Sequence, residues 1–406
     1  MSKASRRSVL GMLAAAPLSA SGLAAASDSA HAQPRRSPGG QSEPLRRYKE
    51  YVSELAKKDQ FSGVIMVAHR GRPVIAEAYG MADKKLGVRN RVDTRFNLGS
   101  ASKPFSTLAI VQLAEEGKIE FYDKLGTHLS GFRPEVAEKV TVHQMLTHTS
   151  GMTMAWDPSR ITYSREELWE IVRKALREGE LQFTPGTQHA YGGAGLDALG
   201  EIVTKITGMS YWDYVHEHIF GAAGMTGSRY YTRTEWLADP AVAHPYMLQA
   251  DGSRVDALRD LKASAVIGGP GTSPARPFVG LPSVGAFSSA PDLVRLAKAL
   301  QNHKLLTRPY TDLYVGPKFP AAPPPGAPSP GPARREAFQA YGLNSTIMGD
   351  FRVVGHGGGV GGGNANWNVY LGHDWVGVVL SNYDLDSKLF MDILGKEREA
   401  ITSAAG

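Results

Sequence analysis

The sequence predicts an α/β fold of the α+β kind: one antiparallel sheet flanked by terminal helices, with a mainly helical subdomain inserted. Three observations predict it. Strand-like apolar runs gather near both ends of the chain, helical spacing dominates about 104–300, and an amphipathic helix stands before the first strands and after the last. The chain has 406 residues, 42% hydrophobic and 21% charged, which is globular composition. Its length suits two or three units, or one large domain with an insertion.

Residues 1–32 read as an address. Ser5-Arg6-Arg7-Ser8 precedes a weakly apolar stretch from Val9 to Ala26, and Ala30-His31-Ala32 supplies a small-x-small cleavage pattern. The expectation is a twin-arginine signal peptide cleaved near Ala32, and a protein exported to the periplasm or beyond. Residues 33–43 read as a flexible leader. Leu45, Tyr48, Val52 and Leu55 then recur at helical spacing. Gly63–Ala68 and Pro73–Ala76 read as a hairpin around Arg70-Gly71. Helical patterns follow over Ser106–Glu116, Arg165–Arg177, Gly195–Thr207, Tyr211–Ile219 and Pro291–Gln301. Arg352–Val354, Asn366–Leu371 and Trp375–Ser381 read as further strands, and Leu389, Phe390, Ile393 and Leu394 mark a closing helix. The domain is thus expected over 44–400, with its α/β part at about 44–125 and 281–400 and its helical subdomain at about 126–280. Residues 318–335 hold seven prolines and read as a polyproline-type loop. After the signal no stretch approaches the ~18 apolar residues of a membrane span.

Several chemistries are excluded. The formal charge is +6 with both signs mixed, so no nucleic-acid footprint is expected. With Cys 0, disulfide scaffolds, thiolate metal sites and cysteine nucleophiles are out. Gly357-x-Gly359-x-x-Gly362 matches a dinucleotide fingerprint, but a strand pattern follows where the fingerprint needs a helix. There is no Gly-x-Ser-x-Gly elbow. His216-Glu217-His218 lacks the spacing of a metal-binding helix face and reads as a solvated turn. His143 and His148 have no carboxylate nearby and read as structural. Neither metal nor cofactor is expected.

One segment carries chemistry. In Asn97-Leu98-Gly99-Ser100-Ala101-Ser102-Lys103, a Ser-x-x-Lys pair at a helix start places Ser100 and Lys103 on one face, Cβ atoms about 5–6 Å apart. The ammonium could stabilise the alkoxide; a desolvated, neutral amine could take the proton itself. The helix N-terminus would add N–H groups where an oxyanion forms. The alternative is that Ser100 caps the helix.

The run Phe96–Lys103 resembles the nucleophile motif of the class C β-lactamase and penicillin-binding-protein-like serine hydrolases, which include the family VIII esterases. Met145-Leu146-Thr147-His148-Thr149-Ser150-Gly151, Phe183-x-Pro185-Gly186, Tyr191-x-Gly193-x-Gly195, Gly285-x-Phe287-Ser288 and Gly355-His356-Gly357-Gly358-Gly359 resemble that family's landmarks, in its order. The resemblance covers roughly 45–400 and implies a β-lactamase-like fold. It also implies that Ser100 is the acylated nucleophile, Lys103 its activator and Tyr191 a base or proton shuttle. A cationic Lys103 beside Tyr191 would favour phenolate. The backbone N–H groups of Ser100 and Gly359 would form the oxyanion hole, with His356, Gly357, Gly358 and Gly193 on the substrate side.

Two departures bear on substrate. Gly193 stands where the family's β-lactam-processing members usually have Asn, and His356 where many have Lys. An amide clamp and a fixed positive charge are lost, which weakens β-lactam and peptide recognition more than acyl transfer. The expectation is an exported carboxylesterase or acyltransferase on small esters. A β-lactamase or D-amino-acid-directed peptidase with the same residues is the alternative, and a non-catalytic binding protein with a decayed site is the alternative of another class. The expected partner is a small ester or amide substrate. Oligomeric state stays open.

Overall fold

The computed structural model describes residues 42–155, 162–260, 279–321 and 335–405. The signal segment, the leader through 41 and most of the Pro-rich stretch lie outside the described residues.

Strand β1 (Gly63–His69) shows how the sheet divides the protein. Val64, Met66 and Ala68 enter one core, and Ile65 and Val67 enter the other. A short continuous apolar run is therefore a strand buried on both faces. Its partners are β2 (Arg72–Tyr79), reached through a turn at Arg70 and Gly71, and the last strand of the sheet. Both turn residues have positive φ, 53° and 73°, the conformation of a two-residue hairpin whose twist matches its strands. The remaining strands are β3 (Phe319–Pro320), β4 (Arg335–Gln339), β5 (Asn344–Met348), β6 (Phe351–Val360), β7 (Gly363–Leu371) and β8 (Trp375–Ser381). The eight strands lie in the order β3-β4-β5-β6-β7-β8-β1-β2, antiparallel throughout. Gly63 pairs with Ser381, so the sheet is built from both ends of the chain, as expected.

The sheet is larger than the sequence suggested. The Pro-rich stretch 318–335 begins and ends in strand: β3 and β4 pair through Phe319↔Gln339 and Pro320↔Phe338. Pro320 is tolerated because β3 is an edge, where a missing N–H breaks no ladder. The glycines of β6 are strand as well, and β7 follows them, which removes the dinucleotide reading.

Helices α1 (Glu43–Lys57) and α6 (Ser387–Ala405) cover one face, burying Leu45, Tyr48, Val52 and Leu55 against Ile393, Leu394 and Ile401. The other face carries α2 (Lys103–Glu115), buried on nearly every side. The inserted helix α3 (Arg165–Glu178) packs on α4 (Ala194–Thr207), α4 packs on α2, and the later α5 (Ala290–Gln301) packs on that face at β1, β7 and β8. Ser164 caps α3 through the Glu167 N–H. Gly208, at φ 73°, ends α4 in the left-handed conformation that stops helices. His216–His218 is no turn; it lies within a π-helical stretch, Val215–Gly221. The mainly helical region also holds short strands: Arg229–Tyr230 joins Ala286–Ser288 and Phe96–Asn97, the strand that leads into Ser100.

A buried acid on α6 makes stability depend on pH. Glu397 is 0% exposed and packs on Gly377, where any Cβ would strike its Oε1. Burial pushes its carboxyl up to about 7. Between pH 4.5 and 7 the unfolded chain releases this proton and the folded chain keeps it, so stability falls as pH rises, in total by roughly 3 kcal/mol. Glu397→Gln should therefore be the more stable protein at pH 8, with the gap closing toward pH 4.5. Chemical denaturation at four pH values checks this; a gap independent of pH would refute it.

Candidate active site

Ser100 does not cap a helix. It lies in a 3₁₀ turn, Gly99–Ser102, that runs into α2, whose N-cap is Ser102. In a 3₁₀ turn residues i and i+3 eclipse, and Lys103 Nζ donates to Ser100 Oγ at 3.0 Å. The turn is pinned from several sides. Asn97 Oδ1 accepts the Gly99 N–H at 2.9 Å, Ser102 Oγ and the Gly285 N–H donate to Gly99 O, and Trp367 Nε1 donates to Ala101 O at 3.1 Å. Strand β6 passes directly over it. A Cβ at Gly358 would collide with Leu98 O and with the backbone nitrogens of Ala101 and Ser100. Gly99 has φ 53°, and a Cβ there would meet Gly359 O at 2.9 Å. Only glycines allow this approach.

Lys103 is 4% exposed. Its Nζ also donates to Ser283 O at 2.8 Å and lies 4.8 Å from the centre of the Tyr191 ring. Desolvation brings the amine down to about 8, with the Asp197 carboxylate opposing. Tyr191 is 53% exposed, and its phenol lies above the ordinary value: desolvation raises it and a hydrogen bond with Ser100 partly offsets this. The expected drift toward phenolate is not what this geometry produces. The ammonium faces the ring rather than the oxygen, and burial weakens its own charge.

Two imidazoles complete the wall. His148, set aside as structural in the sequence, holds a left-handed backbone (φ 57°) and packs its ring 4.9 Å from that of Tyr191. His356 is 6.1 Å from the same ring and its Nδ1 donates to Gly357 O. Both are buried. Desolvation first, and Lys103 second, hold them down at about 3 and about 4, so both are neutral at pH 7. His143 lies apart, bonded to the Tyr341 hydroxyl. Among the described residues no group of three His, Cys, Asp or Glu could hold a metal ion, and no helix is long and apolar enough to cross a membrane.

A family model described as Beta-lactamase matches residues 49–395. The chain belongs to the β-lactamase family. Members of this family are serine hydrolases. Penicillin-binding protein 4* of Bacillus subtilis (strain 168) is 32% identical over 187 residues, 44% of this chain and 40% of that protein. The chain spans less than half the length of the curated relatives it first matches. Among solved structures, the penicillin-binding protein from Bacillus halodurans aligns with a TM-score of 0.67 at 23% identity, covering 87% of this chain and 99% of that one. The D-amino acid amidase from Ochrobactrum anthropi SV3 aligns with a TM-score of 0.67 at 19% identity, covering 89% and 99%. These likenesses show the fold.

In this β-lactamase-family protein two polar side chains crowd the space beside Gly193. A Cβ at Gly193 would meet Ser283 Oγ at 2.9 Å and Asp197 Oδ2 at 3.4 Å. Sequence reasoning missed both residues. Asp197 carried a signal: an acid between Leu196 and Ala198 in an apolar helix, where a charge is costly unless partnered. Ser283 carried none, because it acts on Lys103 through its backbone carbonyl.

Proposed function

We propose that this protein is a serine hydrolase that cleaves small carboxylic esters through an acyl-enzyme on Ser100. The observation that carries this is the buried amine of Lys103, 3.0 Å from Ser100 Oγ and lowered toward neutrality. A neutral Lys103 takes the hydroxyl proton as Oγ attacks the ester carbonyl. The N–H groups of Ser100 and Gly359 receive the oxyanion; one such donor is worth about 3–4 kcal/mol. The new ammonium then protonates the departing alkoxide, with the neutral Tyr191 phenol as relay. Water repeats the sequence to release the acid.

Ester preference rests on what surrounds this centre. Neutral, buried His356 supplies no fixed charge for a substrate carboxylate, and Ser283 fills the room of an amide clamp at 193. An apolar cavity of about 160 Å³ lies beside the end of β6, walled by Tyr231, Trp236, Val279, Val284, Phe287 and Val360. A cavity of roughly this size takes a benzene ring, so a short acyl chain fits. The test is a panel of p-nitrophenyl esters, nitrocefin and D-alanyl amides, with fluorophosphonate labelling located by mass spectrometry. The expected result is labelling at Ser100 and ester turnover well above the others. Faster cleavage of nitrocefin or the amides would favour the peptidase or β-lactamase alternative. Val284→Phe, which narrows the cavity, should shift preference from butyrate toward acetate by about tenfold, the worth of one or two methylenes in an apolar pocket. An unchanged chain-length profile would remove the cavity from the acyl site.

Export through Arg6-Arg7 belongs to the same proposal. In cells the precursor should be shortened near Ala32, and Arg6→Lys with Arg7→Lys should trap it; normal processing of that variant would point to another route.

A further inference from the structure

A carboxylate without solvent access lies behind Lys103. Asp197 is 0% exposed. Its Oδ1 accepts the Ser283 N–H at 2.9 Å and its Oδ2 accepts the Ser283 Oγ–H at 3.0 Å. The carbonyl of the same Ser283 accepts from Lys103 Nζ at 2.8 Å. One residue joins the acid to the amine. We propose that Asp197, acting through Ser283, is a positioning residue that holds Lys103 against Ser100 and supplies the countercharge for the ammonium formed during acylation. This rests on the reading of Ser100 as nucleophile and Lys103 as base.

The first argument is geometric. Three hydrogen bonds fix Ser283, and its carbonyl fixes the second of the two bonds that aim Nζ at Oγ. The second is electrostatic. When the proton reaches Nζ, an ammonium appears in a closed site, and an uncompensated buried charge is expensive. The groups facing it are the neutral imidazoles of His148 and His356 and the ring of Tyr191. Asp197 is the acid, among the described residues, that acts on Lys103. Around Asp197 itself stand the phenols of Tyr211 and Tyr230, hydrogen-bonded to each other and raised by burial far from ionisation. The third argument is steric. A side chain at 193 would crowd Ser283 Oγ, so the glycine leaves that hydroxyl its place on Asp197 Oδ2.

The step balances without Asp197 changing state. The Oγ–H bond breaks and the Oγ–acyl bond forms. The proton passes to Nζ and then to the leaving alkoxide as the acyl–oxygen bond breaks. Burial raises the Asp197 carboxyl to about 7 against the two Ser283 hydrogen bonds and Lys103, so near pH 8, where Lys103 becomes neutral, it is a carboxylate and stays one through the step, as the acid that orients a catalytic base does elsewhere.

The test measures the rate constant for fluorophosphonate inactivation and kcat/KM for p-nitrophenyl butyrate from pH 5 to 9, in wild type, Asp197→Asn and Ser283→Ala. Asparagine keeps the shape and removes the charge. Without the carboxylate the ammonium loses its proton more readily, so the acid limb should move about one unit toward lower pH. The weaker base should lower the plateau about tenfold to a hundredfold, with KM little changed. Ser283→Ala keeps the backbone N–H and carbonyl and should move the limb the same way by less. A structural role alone would lower the melting temperature or the rate and leave the limb in place; an unmoved limb in folded Asp197→Asn overturns the proposal. Should that variant not fold, an unmoved limb in Ser283→Ala overturns it. Absence of labelling at Ser100 in the wild type would instead defeat the hydrolase reading, and this proposal with it.

Discussion

Lys103→Met should reduce ester turnover by roughly 10³- to 10⁴-fold, the upper range of a general-base contribution, while the fold persists. Methionine fills the same buried channel and removes the atom that contacts both Ser100 Oγ and Ser283 O. The wild-type pH profile tests the same assignment without a mutation. A base must be neutral to act, and Lys103 titrates at about 8. kcat/KM should therefore rise with pH and level off above about 8. His148 and His356, held at about 3 and about 4, cannot supply that limb. A Met variant keeping a tenth of the activity, or a flat profile between pH 6 and 9, would falsify the assignment of Lys103 as base.

The second large effect is expected from a single methyl group. Gly358→Ala places a carbon onto Leu98 O and the nitrogens of Ala101 and Ser100. These are backbone atoms inside a turn held by Asn97, Ser102, Gly285 and Trp367, so the strand must move rather than the turn. Gly359, the proposed oxyanion donor, moves with it. Loss of one such donor costs about 10²–10³ in kcat, and overpacking costs typically 1–3 kcal/mol of stability. Gly357→Ala is the control: its Cβ would meet Asn366 Oδ1 at an ordinary 3.4 Å. Activity and melting temperature of the two variants should differ sharply, and equal behaviour would show that β6 does not need its close approach.

What the sequence disclosed follows from the range of each interaction. Ser100 and Lys103 were legible because their relation is local, three residues apart on one turn. β1 was legible as a strand because Val64 to Ala68 is an unbroken apolar run beside a turn; its burial on both faces emerged from the fold. Tyr191 took its role from the family's motif order, since a lone tyrosine says nothing. β4 and β5 escaped notice because Glu336, Gln339, Asn344 and Ser345 give no apolar alternation, and β3 hid among prolines. His148 was dismissed because its significance lies in contact with Tyr191, remote in sequence. Asp197 and Ser283 meet only in the folded chain, and the carbonyl by which Ser283 holds Lys103 is one that any residue offers.

The pairing of Gly63 with Ser381 also governs when this protein can exist at all. β1 is made early, and β8, its interior partner, is the last strand of the sheet along the chain. Until then β1 has only β2 beside it, and its free edge is an apolar template for any other strand. Closing so long a loop is entropically slow, and chains dominated by such distant pairings fold slowly and stay prone to aggregation meanwhile. Assembly of the sheet therefore waits until Trp375–Ser381 has been made. A chain cut short before Trp375 would lose more than one strand, because the hairpin at its start would have nothing to join.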